Sequence, residues 1–400
     1  MGKVRALINK ETLRLIREKT QVSFEYLSRS TGQEIAVLKE WEDAGNPTLL
    51  PTIPQAKALA YSLRVPFAGL YMPSSLIPIP SLPSLHNKRS ISGGTIIDNS
   101  RLNLAIIDIL REREYLIKTD EELNLRGVCF SMSTTSTDIK EWASYIRKYL
   151  QLSITDQYRC PTTRQFYLYV RKKVEDAGAF VQCFSHVPVE DARGIAIYYD
   201  YLPVIGLNDD DRFPAKSFSI IHELVHLMKR KSTVCNDMYD SRSSDQEEIF
   251  CNAVAGEVLV PEVALRHEIA PYHSLEITLA VVEQIANRFS VSKEVILRRM
   301  LDVEPPFILH SQYQAINDEI QQNLKEEKER TEELKRAGIQ PPYRSSQSRD
   351  AMDKNSNHLG SVLLSGYEEG LLSRNDISRH IGISEENVNK YLSEVAKWNS

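Results

Sequence analysis

Cysteine is scarce in this chain. There are five in 400 residues (Cys129, Cys160, Cys183, Cys235 and Cys251), and no two form a Cys-x-x-Cys pair. An odd, scattered set excludes a disulfide framework and fits a reducing cytoplasm. No stretch approaches 18 consecutive apolar residues, so a membrane-spanning helix is not expected. The opening Met1-Gly2-Lys3-Val4-Arg5 lacks the apolar run of a secretory signal, and Ala6 breaks the myristoylation pattern. Neither sign of charge dominates. A formal net charge of −5 excludes a generic polyanion binder. A hydrophobic content of 42% over this length supports two to three domains with cores of their own.

Histidine is rare as well, nine in all, yet two fall four residues apart in Phe218-Ser219-Ile220-Ile221-His222-Glu223-Leu224-Val225-His226-Leu227-Met228. By chance, His-Glu-x-x-His arises in on the order of one such chain in a hundred. On a helix, His222 and His226 stack on one face. Two neutral imidazoles at that spacing can hold one zinc ion, and Glu223 is placed to act as general base on an activated water. The residues between them are apolar, so the helix is buried. Two imidazoles and a carboxylate in such a helix need partners or a metal. The chemistry indicated is metal-assisted hydrolysis, foremost of a peptide bond.

Two histidines leave such a site incomplete, since a catalytic zinc takes three protein ligands and keeps one position open. Residues 245–259 read as a second buried helix that stops before Pro261, with Ile249, Phe250, Ala253, Val254, Gly256 and Val258 as its apolar surface. It carries Glu247, Glu248 and Glu257, and spacing alone does not choose between Glu247 and Glu248.

The two segments together resemble the ImmA/IrrE family of zinc metallopeptidases. Its second pattern aligns with Glu248-Ile249-Phe250-Cys251-Asn252-Ala253-Val254-Ala255-Gly256-Glu257-Val258-Leu259-Val260-Pro261. Anchored on Asn252 and Pro261, the resemblance implies that Glu248 is the third ligand of one Zn2+ per chain, and Cys251 falls at a small buried position. Pro203–Asn208 is similar to the strand before the family's metal helix, and Ile285–Arg299 to the helix pair after it. The resemblance extends over about residues 120–305.

Residues 11–19, 23–30, 33–43 and 52–64 have helical spacing, with Ser23 and Thr52 as N-caps and Pro47, Pro51 and Pro66 as punctuation. Leu13, Ile16, Phe24, Leu27, Ile35, Leu38, Trp41, Ala56, Leu59 and Ala60 would form one small core. Ser23–Ser28, Leu38–Glu42 and Pro51–Ala60 resemble a phage-repressor (XRE) helix-turn-helix domain, and XRE domains stand ahead of ImmA/IrrE peptidases in known fusions. Over residues 1–72, ten Lys/Arg face seven Asp/Glu, which is only mildly basic. Glu34, Glu40, Glu42 and Asp43 on the would-be recognition helix would weaken phosphate contact. Arg14, Arg17, Lys19, Arg29 and Lys39 are the candidate DNA contacts.

The expected organisation is therefore a helix-turn-helix domain (1–72), a Pro/Ser-rich linker (73–100), a peptidase domain (101–305), a charged helix with a polar, mobile linker (306–358) and a C-terminal helical region (359–400). Tyr198, Tyr199, Tyr239 and His186 are candidate oxyanion donors, and His267 and His273 could approach the site. The fold class is mostly α with a small mixed α+β, zincin-like core, an all-α N-terminal domain and a small helical C-terminal region. The resemblance implies a cytoplasmic zinc endopeptidase. Its partners would be a DNA-binding repressor or antitoxin-like regulator as substrate, DNA through the N-terminal domain, and a second copy in a homodimer, with no membrane. A second reading is a non-proteolytic DNA-binding regulator or antitoxin whose metal site is structural or vestigial.

Overall fold

The computed structural model describes residues 4–46, 48–77, 81–85, 91–92, 95–96, 98–122, 128–235, 246–272, 277–338 and 346–399. Four helices open the chain: α1 (Lys10–Thr20), α2 (Phe24–Thr31), α3 (Ile35–Glu42) and α4 (Ile53–Ser62). Their ends are set locally. The Asn9 and Ser23 side chains accept from Thr12 N and Tyr26 N, and Thr52 forms a capping box with Gln55. The core expected from spacing forms around Leu13, Ile16, Leu27, Leu38, Trp41, Ala56 and Leu59.

A short hairpin, β1 (Ile91–Ser92) and β2 (Thr95–Ile96), precedes α5 (Ser100–Glu122). Next come α6 (Ile139–Tyr149), α7 (Ile154–Arg159) and α8 (Thr163–Asp176). One mixed sheet follows, from β3 (Phe180–Phe184), β4 (Gly194–Ile197), β5 (Val204–Asn208) and, after α9 (Phe213–Met228), β6 (Thr233–Cys235). The order is β3-β5-β4-β6: β3 is parallel to β5, β4 is antiparallel to β5, and β6 is antiparallel to β4. Every residue of β4 and β5 is buried, as expected of strands covered on both faces.

Helix α9 has Pro214 in its first turn and is buried from Ala215 to Met228, because α8, α10 (Gln246–Leu259) and the sheet all pack on it. Beyond α10 come α11 (Glu262–Ile269), α12 (Leu279–Phe289), α13 (Lys293–Asp302) and α14 (His310–Arg336). The charged helix expected within 306–358 is α14, which begins at His310. Ile316 and Ile320 bury its first turns, and its later turns are exposed.

The C-terminal region is α15 (Gln347–Lys354), α16 (Asn357–Glu368), α17 (Arg374–Ile381) and α18 (Glu385–Asn399). Residues 346–357, expected to be mobile, are instead ordered and docked; residues 339–345 lie outside the described residues. Ser346 caps α15, Ala351 and Met352 are buried, and the buried Arg171 of α8 donates to Asp353 O (2.9 Å) and Met352 O (2.7 Å). The amide of Gln182 binds Asn355 Oδ1 and accepts from Ser356 N. These are long-range bonds, so local polarity could not signal them. Arg171→Ala leaves Met352 O without its donor and Asp353 O with that of Tyr167 Oη, and empties a fully buried site. It is expected to cost about 3–5 kcal/mol, read as a lower urea midpoint. One apolar side chain also sits otherwise than expected: Ile249 points to solvent.

Candidate metal centre

Strand β5 ends in buried Asn208, which donates to Val187 O (2.9 Å) and Ala192 O (2.7 Å) and accepts from Asp210 N. That ties down the turn feeding α9 and fixes how the helix meets the sheet. On α9, His222 and His226 lie one turn apart, with 3.1 Å between their Nε2 atoms. Helix α10 crosses α9 and brings Glu248 to both, at 3.2 Å from His222 Nε2 and 3.3 Å from His226 Nε2. Glu247, the alternative by spacing, turns away to Lys231 and flanks the other nitrogen of His226. Glu257 is taken by Arg299 and by Glu262 N.

A fourth donor appears that the sequence reading missed. Cys235, at the end of β6, places Sγ 3.2 Å from His222 Nε2, 3.6 Å from His226 Nε2 and 3.8 Å from a Glu248 oxygen. His222, His226, Cys235 and Glu248 therefore form one cluster of donor atoms able to hold a metal ion. The fit can be tested on its edges. Zinc with bonds of about 2.0–2.1 Å to N or O and about 2.3 Å to S defines a tetrahedron with edges of roughly 3.3–3.6 Å. Five separations among His222 Nε2, His226 Nε2, Cys235 Sγ and Glu248 Oε2 run from 3.1 to 3.8 Å, and His226 Nε2 meets the other Glu248 oxygen, Oε1, at 3.3 Å. The donor set fits.

Electrostatics agree with a cation-binding role. Burial opposes ionisation of Glu248, but the hydrogen bonds and charges of His222 and His226 outweigh it and hold the carboxyl well below the usual carboxylate range. Burial would lower the pKa of His222, yet its bond to Glu248 and the nearby carboxylates raise it. Glu223 is shifted up, chiefly by burial, which brings a carboxylate nearer the range useful to a general base. Its Oε1 is buried with no hydrogen-bond partner among the described residues, and Oε2 is 3.5 Å from Thr233 Oγ1. A buried carboxylate oxygen left in that state is costly unless something else binds there.

Gly194 of β4 lies against the Glu223 carboxylate so closely that a Cβ at this position would overlap it. Gly194→Ala therefore displaces the Glu223 head while His222, His226 and Glu248 stay in place. The expected result is unchanged metal content with reduced hydrolysis, checked by elemental analysis beside a peptide-cleavage assay.

The other expected residues are placed elsewhere. Tyr198 Oη donates to Asp200, and the Tyr199 ring stacks on the Arg113 guanidinium. His186 lines a wide cleft between the N-terminal helices, α5 and the sheet, away from the cluster. His267 is exposed, while Tyr239 and His273 lie outside the described residues. Instead, Arg193, Phe218, Ser219 and Asn252 line the small cavity over His222, Glu223 and Cys235. Cys251 is buried in the core, as its aligned position implied.

In the N-terminal helices, Arg17 is in a bidentate pair with Glu42 (2.8 and 2.9 Å) and stacks on Phe24, and Arg29 pairs with Asp98. Glu42 is buried, so it does not face outward as the sequence suggested. Arg14, Lys19 and Lys39 are exposed.

Comparison with known families gives one match. The peptidase M78 family model, described as the IrrE N-terminal-like domain, matches residues 184–301, a span running from the end of β3 through α13 and containing all four clustered donors. No curated protein matches this chain. Among the described residues no helix is long and apolar enough to cross a membrane.

Proposed function

We propose that this chain is a cytoplasmic zinc endopeptidase that cleaves a regulatory protein, foremost a DNA-binding repressor encoded near it, in a phage, mobile-element, stress or defence setting. The observation that carries the reading is the convergence of His222, His226 and Glu248 with Glu223 beside them. The peptidase family match over the same residues supports it.

His222, His226 and Glu248 would hold the ion. Zinc bound there supplies a Lewis acid that polarises the scissile carbonyl and acidifies water. Glu223 takes the proton from the attacking water and returns it to the leaving amine. Its burial keeps that proton transfer out of bulk solvent. Arg193, paired with Asp211 at 2.8 Å, contributes positive charge to the cavity wall.

The N-terminal four-helix unit is proposed as an XRE-type docking module for DNA or for the repressor. With Arg17 held in its pair with Glu42, the exposed candidate cations are Arg14, Lys19, Arg29 and Lys39. The test of the main reading is incubation of the zinc-loaded Cys235→Ser chain, in which the fourth donor is removed, with the repressor encoded beside it. Site-specific cleavage that depends on Glu223 supports it. An intact repressor bound stoichiometrically would favour the regulator reading.

A further inference from the structure

We propose that Cys235 is a fourth ligand to the metal and that it holds the peptidase in a closed, latent state. The inference rests on the metal site of the proposed function and concerns what fills its remaining position. A catalytic zinc keeps one of four positions open for water or substrate, whereas a structural site is closed by a fourth side chain. Here Sγ lies 3.2 Å from His222 Nε2, 3.6 Å from His226 Nε2 and 3.8 Å from Glu248 Oε2, close to the edges of a tetrahedral site. It is held there by the fold and not by chance rotation. Cys235 pairs with Gly194 in the β4–β6 ladder, and its carbonyl accepts from Arg193 N at 2.8 Å.

The space above the donors says the same. The cavity bounded by His222, Glu223, Cys235, Arg193 and Asn252 has a volume of about 10 Å³. That is the size of one water at most, and no peptide segment enters it. Strand β6 also covers the edge of β4 next to Glu223. An extended peptide adding to that edge would need the same backbone groups that β6 now uses. One three-residue strand therefore blocks both the open metal position and the nearest strand edge. Loss of the sulfur–metal bond, with β6 moving off β4, would clear both together.

The experiment uses the full-length chain loaded with one Co2+, whose thiolate complexes give a sulfur-to-cobalt charge-transfer band in the near ultraviolet. The wild type is expected to show the band. Cys235→Ser is expected to keep one cobalt on the remaining three ligands and lose the band, while Cys251→Ser keeps it. A parallel measurement on the unmutated protein follows alkylation by iodoacetamide. Zinc should protect Cys235 and chelation should expose it, with the exposed Cys129 reacting in both states as the internal control. One cobalt per chain without the band, or a band that survives Cys235→Ser, overturns the closure and leaves the three-ligand site standing. A wild type that binds no cobalt overturns the metal site and the closure with it.

Discussion

Replacing Glu223 by Gln lowers peptide-bond cleavage by roughly 10²–10⁴-fold and leaves the metal content of the chain unchanged. The size follows from what the carboxylate does. In the proposed mechanism it is the buried base beside the candidate metal donors, and an amide of the same shape can neither take the water proton nor return it to the leaving amine. Metal retention follows from the geometry, because the group able to hold the ion is His222, His226, Glu248 and Cys235, and Glu223 is not in it. Nor is the fold at risk. Glu223 Oε1 has no hydrogen-bond partner among the described residues, so a neutral amide removes a buried charge without breaking a bond at that atom. The comparison is a time course of substrate cleavage by chains carrying equal zinc, with and without Glu223→Gln, both in the Cys235→Ser background that removes the proposed fourth ligand. Full cleavage by the variant would contradict the assigned role.

His222→Ala and Glu248→Ala each abolish stoichiometric metal binding, and with it the stabilisation that binding confers. A ligand that binds only the folded chain, at a thousandfold excess over its Kd, adds about 4 kcal/mol, which for a domain of this size is a shift on the order of 10 °C in Tm. The wild type should lose that increment on chelation and regain it with zinc. The two variants should not respond to either treatment. Glu247→Ala is the control, since its carboxylate pairs with Lys231. It should retain the metal and the zinc-dependent shift. A variant pattern in which Glu247, and not Glu248, is required would overturn the assignment of α10 to the site.

Much of this architecture was legible in the chain. The i, i+4 spacing of His222 and His226 dictates one helix face, and an apolar sequence around them dictates burial. The N-terminal helices and α10 fell where the periodicity placed them because their caps and stop signals are local: Ser23, Thr52 and Pro261 act within one turn. Choosing Glu248 over Glu247 was different. Both lie on one exposed-to-buried boundary of α10, and only the crossing angle of α10 on α9, or the family resemblance, separates them. Cys235 had no local signature at all. It sits nine residues beyond His226 on a separate strand, and the ladder with Gly194 that delivers its sulfur is formed in space. The one available hint was its position in a short β-branched run, Thr233-Val234-Cys235, directly after the metal helix. The same limit explains the other departures. Glu42 looked like a solvent-facing acid until Arg17, 25 residues away, met it in the core of the N-terminal unit. The 346–357 segment looked mobile because the groups that order it, Arg171 and Gln182, belong to another part of the chain.

X-ray absorption at the zinc edge, on the full chain purified without added metal, tests the central claim most directly. The account predicts about one zinc per chain whose nearest shell contains two imidazole nitrogens and one carboxylate oxygen, all lost in His222→Ala. A chain that cannot be loaded with zinc, or a zinc shell without the two imidazoles, would contradict it.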